Sequence, residues 1–179
     1  MVGSGPAPAI VVVMGVAASG KTTVGRLLAQ RLDVPFVEGD DFHPAANIAK
    51  MTAGQALDDE DREPWLRSLT RCIRETSGAH QGGVISCSAL KREYRDLLRA
   101  AGPGVWFLYL ALDEETAHTR IAHRTGHFMT ARLLDSQYDA LEPLRADEPG
   151  LTVDATAGID MIIGPVQAAV ARFEAGEPG

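Results

Sequence analysis

Cysteine is scarce. Cys72 and Cys87 are the only two, they form no CxxC pair and no signal peptide precedes them, which excludes a disulfide framework and points to a reduced, cytoplasmic setting. Long apolar runs are missing as well. The longest, from Ala7 to Met14, falls far short of the roughly 20 residues that a spanning helix requires, so the sequence reads as soluble, without a membrane partner. Positive charge is also in deficit: 17 Lys and Arg against 24 Asp and Glu leave a formal charge of −7, which would repel a phosphate backbone and speaks against nucleic acid. What remains is ordinary globular usage, 45% hydrophobic and 23% charged, without an internal repeat. The 179 residues fit one domain able to bury about 70% of its unfolded surface.

Along the chain, a Gly, Pro and Ser rich lead-in (residues 1–8) gives way to AIVVVM at residues 9–14, a continuous β-branched run suited to a strand buried on both faces of a parallel sheet. Further strands are expected at Phe36–Val37, Gly83–Cys87, Val105–Leu110 and Leu151–Val153. Helical spacing separates them: Val24, Leu27, Leu28 and Leu32 before Pro35; Glu63 to Thr76 with Pro64 in its first turn behind the acids Asp58 to Asp61; Lys91 to Ala101 before Gly102 and Pro103; and Glu114 to His123. Alternating strands and helices predict an α/β fold, a doubly wound five-stranded parallel sheet. The stretch 124–147 exceeds an ordinary connection, holds a further polar helix and reads as a helical lid.

The most informative element is Gly15 to Thr22, GVAASGKT, which satisfies GxxxxGK[ST] between a buried strand and an amphipathic helix. Such a P-loop turns successive backbone N–H groups and a helix N-terminus toward an anion. The residues Gly15, Ala18, Ser19, Gly20, Lys21, Thr22 and Thr23 are therefore assigned to the phosphates of ATP, with Lys21 reaching the β and γ phosphates and Thr22 holding Mg²⁺. A guanine-nucleotide switch would need an NKxD element, and none occurs; Asp147 to Gly150 matches DxxG, a pattern too short to carry weight. Phosphoryl transfer needs an acid at the acceptor hydroxyl and another on the water shell of the metal. Glu38, Asp40 and Asp41 stand at the end of the second strand, where ligands bind in such sheets. Asp40 is expected to face the acceptor, and Glu38, two residues earlier on the same strand face, to reach the metal through water. The competing reading has Asp40 and Asp41 capping the next turn.

Four longer stretches resemble the gluconokinase family: GDDFHPAANIAKM (Gly39 to Met51), LDDEDREPWL (Leu57 to Leu66), CSALKREYRDLLR (Cys87 to Arg99) and RTGHFMTARLLDSQYDALEPL (Arg124 to Leu144). They lie in the family's order and, with the P-loop, span most of the chain; shikimate and adenylate kinases are the wider relatives. The resemblance implies ATP-dependent phosphorylation of the 6-hydroxyl of D-gluconate, with Mg²⁺, by a homodimer. The spacing from Lys21 to Asp40, similar to that in shikimate kinase, favours Asp40 over Asp41. For a polyol acid, His43 and Asn47 are expected to read hydroxyls, and Lys91, Arg92 or Arg95 to meet the carboxylate. The bland alternative makes the three cations a solvated helix face. Trp65 is expected to pack beneath the pocket and Ser88 to cap the helix that follows. Arg120 and Arg124, four apart, are assigned to ATP at the base of the lid, with Gly126 as a hinge and His127, on the substrate side, excluding water together with Phe128. Adenine is expected against Asp154 to Gly158, held largely by backbone. A kinase for another small hydroxylated acid or for a nucleoside monophosphate is the alternative.

Overall fold

The computed structural model describes residues 6–124 and 129–177. The expected alternation is present as β1 (Ile10–Met14), α1 (Lys21–Leu32), β2 (Phe36–Glu38), α2 (Ala45–Thr52), α3 (Asp59–Gly78), β3 (Gly83–Ser86), α4 (Arg92–Ala100), β4 (Val105–Ala111), α5 (Glu114–Ala122), α6 (Ala131–Ala140), β5 (Gly150–Asp154) and α7 (Ile159–Glu174). The five strands form one parallel sheet in the order β2-β3-β1-β4-β5. That order places β1 in the middle, paired along both edges by β3 and β4, and with helices on both faces its five residues are all buried.

Alternation along β1 divides the core. Val11 and Val13 face α1 and α7, packing with Leu28, Ile163 and Val166, while Ile10, Val12 and Met14 face α3 and α4, packing with Trp65, Leu69, Ile73 and Leu98. The sheet is thus wrapped on both sides by helices. Two helix starts differ from the sequence expectation. Helix α3 begins four residues before Glu63, because Asp58 accepts from the Asp61 N–H at 2.8 Å and the Asp61 carboxylate accepts from the Asp58 N–H at 3.1 Å, a reciprocal cap. Helix α4 begins at Arg92 with Lys91 as its first flanking residue, so Ser88 does not cap it.

The carboxyl ends of β1, β2 and β3 open on one side, and this is where the chain departs from regular structure. The P-loop follows β1, and a single 3-10 turn, Gly39–Phe42, follows β2. The turn sits hard against β3: a Cβ on Gly39 would lie 2.0 Å from the Ser86 carbonyl oxygen, so only glycine permits the approach. That contact fixes Asp40, the next residue, relative to the sheet.

Candidate active site

The P-loop has the backbone its sequence requires. Gly15 and Gly20 hold φ of 147° and 93°, and Ala18 joins them in the left-handed region at 69°, so successive amides turn toward the start of α1. A side chain at Gly15 would collide with Ser19 Oγ at 2.8 Å and the Leu110 carbonyl at 2.9 Å. Ser19 Oγ is itself buried and has no hydrogen-bond partner among the described residues. Lys21 Nζ donates to the Gly15 and Val16 carbonyls at 3.0 and 2.9 Å, folded over the loop. Burial lowers the pKa of its ammonium, and the nearest counterweight is the carboxylate of Asp40, followed by Cys87 and Glu38. Cys87 offers no nucleophile here, since burial pushes its thiol up to about 12.

Ala18, Gly20, Lys21, Thr22 and Thr23 line a cleft of about 340 Å³ together with Glu38, Asp40, His43, Arg62 and Arg124. Glu38 is held from two sides: Thr22 Oγ1 donates to its Oε2 at 2.6 Å, and Ser86 Oγ donates to Oε1 at 2.5 Å. A hydroxyl and a carboxylate in contact are both oxygen donors and suit a hard cation such as Mg²⁺. Asp40 extends into the opening with its side chain 67% exposed, unlike a turn cap. His43 lines the cleft beside it, its side chain nearly buried. Its ring stacks on Trp65 with centroids 4.4 Å apart and 13° between planes, and Trp65 Nε1–H is anchored to the Gly39 carbonyl at 2.8 Å. Trp65 therefore packs as expected, but it also braces the site.

Several cations assigned from the sequence sit elsewhere. Arg95 is fully buried and bound to Glu148 through Nε at 2.7 Å and Nη2 at 3.1 Å, while Nη1 donates to the Ala89 carbonyl at 2.9 Å. The expected carboxylate contact is corrected: Arg95 is a structural tie, because Glu148 consumes its charge. Lys91 pairs with Asp59 at 2.8 Å over the Tyr94 ring, in a side opening lined also by Arg62 rather than in the main cleft. Arg92 forks onto Asp147, both contacts at 2.8 Å. Asn47 is buried and touches His43 rather than lining the cleft. Arg120 spans the two loops assigned to the nucleotide, donating to the Ala18 carbonyl at 2.9 Å and the Ala155 carbonyl at 3.2 Å. Arg124 lies beyond the end of α5, so it does not share a helix face with Arg120, yet it lines the cleft. Gly126, His127 and Phe128 lie outside the described residues.

Two residues of the site went unread in the sequence. Arg62, masked there within the acidic run DDEDRE, is turned into the cleft by the early start of α3. Its Nη1 donates to Tyr94 Oη at 3.0 Å and its guanidinium lies 5.6 Å from the centre of that ring. The signal was the helix cap: with Asp58 as cap, Arg62 precedes Trp65 by three residues and shares its face. Gln137 on α6 is a second, accepting the Ala17 N–H of the P-loop at 2.7 Å.

Comparison with known proteins adds relatives to this geometry. The shikimate kinase family matches residues 17–145. The thermosensitive gluconokinase of Escherichia coli strain K12 is 48% identical over 137 residues, covering 76% of this chain and 73% of that protein. The gluconokinase of Gluconobacter oxydans strain 621H is 44% identical over 156 residues, covering 87% and 88%. Among solved structures, a gluconokinase from Sinorhizobium meliloti 1021 aligns with a TM-score of 0.83 at 41% identity over 96% of both chains. Shikimate kinase from Aquifex aeolicus aligns at 0.63 and 13% identity over 93% of this chain and 98% of its own, a likeness of fold.

Proposed function

The chain belongs to the gluconokinase family, among the shikimate kinase-type P-loop enzymes, and from this premise we propose that it transfers the γ-phosphoryl group of ATP to the 6-hydroxyl of D-gluconate. The observation that carries the reading is the joint lining of one cleft by a phosphate loop, the free carboxylate of Asp40 and the cation of Arg62.

In this reading the P-loop amides from Ala18 to Thr23 and Lys21 hold the triphosphate, and Arg120 keeps the adjoining loops in place. Thr22 directly, and Glu38 through water, would hold Mg²⁺, which when bound neutralises charge on the phosphates. Asp40 orients the acceptor hydroxyl and takes its proton as the oxygen bonds to the γ-phosphorus and the bridge to the β-phosphate breaks, leaving ADP. Arg124 meets the charge on the group in transfer from the base of a lid formed by 124–147, and Gln137 ties the described part of that segment to the P-loop. Family membership also supports a homodimer in the cytoplasm, the two unpaired thiols being consistent with a reducing compartment.

Arg62 replaces Lys91 and Arg95 as the partner of the gluconate carboxylate, since the latter two are bound to Asp59 and Glu148. Arg62→Ala is expected to raise KM for gluconate by about 10- to 100-fold, the range of a hydrogen bond to a charged group, with KM for ATP unchanged. Steady-state kinetics with each substrate varied in turn test this. An unchanged KM for gluconate would remove Arg62 from the acceptor site.

A further inference from the structure

His43 and Asn47 form a unit whose polarity can be deduced. Asn47 is 3% exposed on α2, and its Nδ2 makes two contacts, to the Asp61 carbonyl oxygen at 2.8 Å and to His43 Nδ1 at 3.2 Å. The carbonyl can only accept, so the amide group facing it is NH₂ and the orientation of the amide is settled. That NH₂ group has only hydrogens to offer the ring. Nδ1 therefore presents its lone pair, and in a neutral imidazole the proton then resides on Nε2. Nε2 lies 3.8 Å from Asp40 Oδ1, too far for a hydrogen bond between them, at the mouth of the same cleft. The Trp65 stack holds the ring plane.

We propose that Asn47 is a positioning residue that locks His43 as an Nε2–H donor beside the Asp40 acceptor, so that the pair reads a 1,2-diol. The reacting hydroxyl donates to Asp40, and the hydroxyl on the neighbouring carbon accepts from His43. With the opposite tautomer, two acceptors would face the diol and the second hydroxyl would lose its donor. The charged groups facing His43 are Asp40 on the turn and Arg62 on α3, which act in opposite directions, while Lys50 pairs with the Asp61 carboxylate and draws it away. Burial, the dominant influence, lowers the His43 pKa and keeps the ring neutral. The diol reading rests on the assignment of this cleft to a polyol acceptor; the tautomer does not.

The test has two arms. Two-bond ¹H–¹⁵N correlation of the uniformly labelled wild-type protein near pH 7.5, with His43→Gln to assign the ring, should show a protonated Nε2 and a bare Nδ1 for His43. A protonated Nδ1 overturns the proposal, whether or not any variant folds. In Asn47→Asp the carboxylate would accept from Nδ1–H, and the protonation pattern should reverse. Kinetically, wild-type kcat/KM for gluconate should exceed that for 5-deoxygluconate by about 10- to 100-fold, and His43→Ala should reduce the ratio to near one. Unaltered discrimination in His43→Ala overturns the diol reading. A wild-type protein that phosphorylated neither acid would instead contradict the gluconate assignment, and the spectrum would still decide the tautomer.

Discussion

Replacing Asp40 with asparagine is expected to lower kcat by about 10²- to 10⁴-fold, the contribution of a positioned general base, while leaving the fold and ATP binding in place. Three observations set this expectation. Asp40 lines the cleft with the P-loop, its side chain is largely exposed, and the Gly39 backbone that carries it is wedged against Ser86. An exposed side chain that makes no hydrogen bond among the described residues should cost little stability, within about 0.5 kcal/mol. A second consequence follows from charge. The Asp40 carboxylate is the largest influence opposing the burial that lowers the Lys21 pKa, so its removal lets that pKa fall further. The loss of ATP affinity that accompanies deprotonation of Lys21 as pH rises should therefore begin at lower pH in Asp40→Asn than in the wild type. Isothermal titration with ATP across pH, beside turnover at saturating substrates, measures both. Turnover retained to within a factor of a few would remove Asp40 from the chemistry.

Arg95→Met is expected to be the most destabilising single change considered, by about 3–5 kcal/mol, because it strands the Glu148 carboxylate in the interior. Both side chains of the pair are fully buried. Through its carbonyl contacts to Ala89 and, at 3.4 Å, Pro143, Arg95 also joins the loop after β3 to the segment after α6. For a chain of this size the loss corresponds to a fall in Tm of roughly 6–20 °C. Arg95→Met with Glu148→Leu should recover much of it, since apolar replacement of both partners removes the stranded charge. The pH dependence has a definite sign. Burial pushes the Glu148 pKa up, but the bonds from Arg95 and the Arg145 N–H outweigh it and hold the folded-state value below the ordinary one. Its contribution is thus complete above the unfolded carboxylate range, about pH 4.3, and is lost as pH falls through the lower folded value. Thermal melts of the wild type and the two variants from about pH 2 to 8, a range that spans the carboxylate titration, test this. A single variant as stable as the wild type would show that the pair contributes nothing.

The parts legible in the sequence were those written locally. The P-loop is eight consecutive residues whose glycines have one conformational use, and β1 announces itself as an unbroken β-branched run. The place of Asp40 in the cleft was legible because a strand end and the P-loop open on the same crevice in a parallel sheet. Arg95 was misread because its partner, Glu148, lies 53 residues later and only the tertiary fold brings them together. Arg62 was missed because five acids surround it in DDEDRE and the sequence pattern starts the helix after it, at Glu63; the reciprocal cap at Asp58 and Asp61 decides otherwise. Helix α2 has no apolar stripe to reveal it, and Asn47 is its one buried residue. The Trp65 to His43 stack belongs to the same class, a contact between two elements whose sequence signals are merely "packing" and "turn".

The joining of a phosphate cradle to a polyol-acid site is tested most directly by ADP release with ATP and Mg²⁺ against gluconate, shikimate, glycerate and AMP under identical conditions. Gluconate should give the highest kcat/KM of the four, with the phosphate on its terminal carbon. A higher value for shikimate or AMP would contradict the acceptor assignment while leaving the P-loop assignment intact.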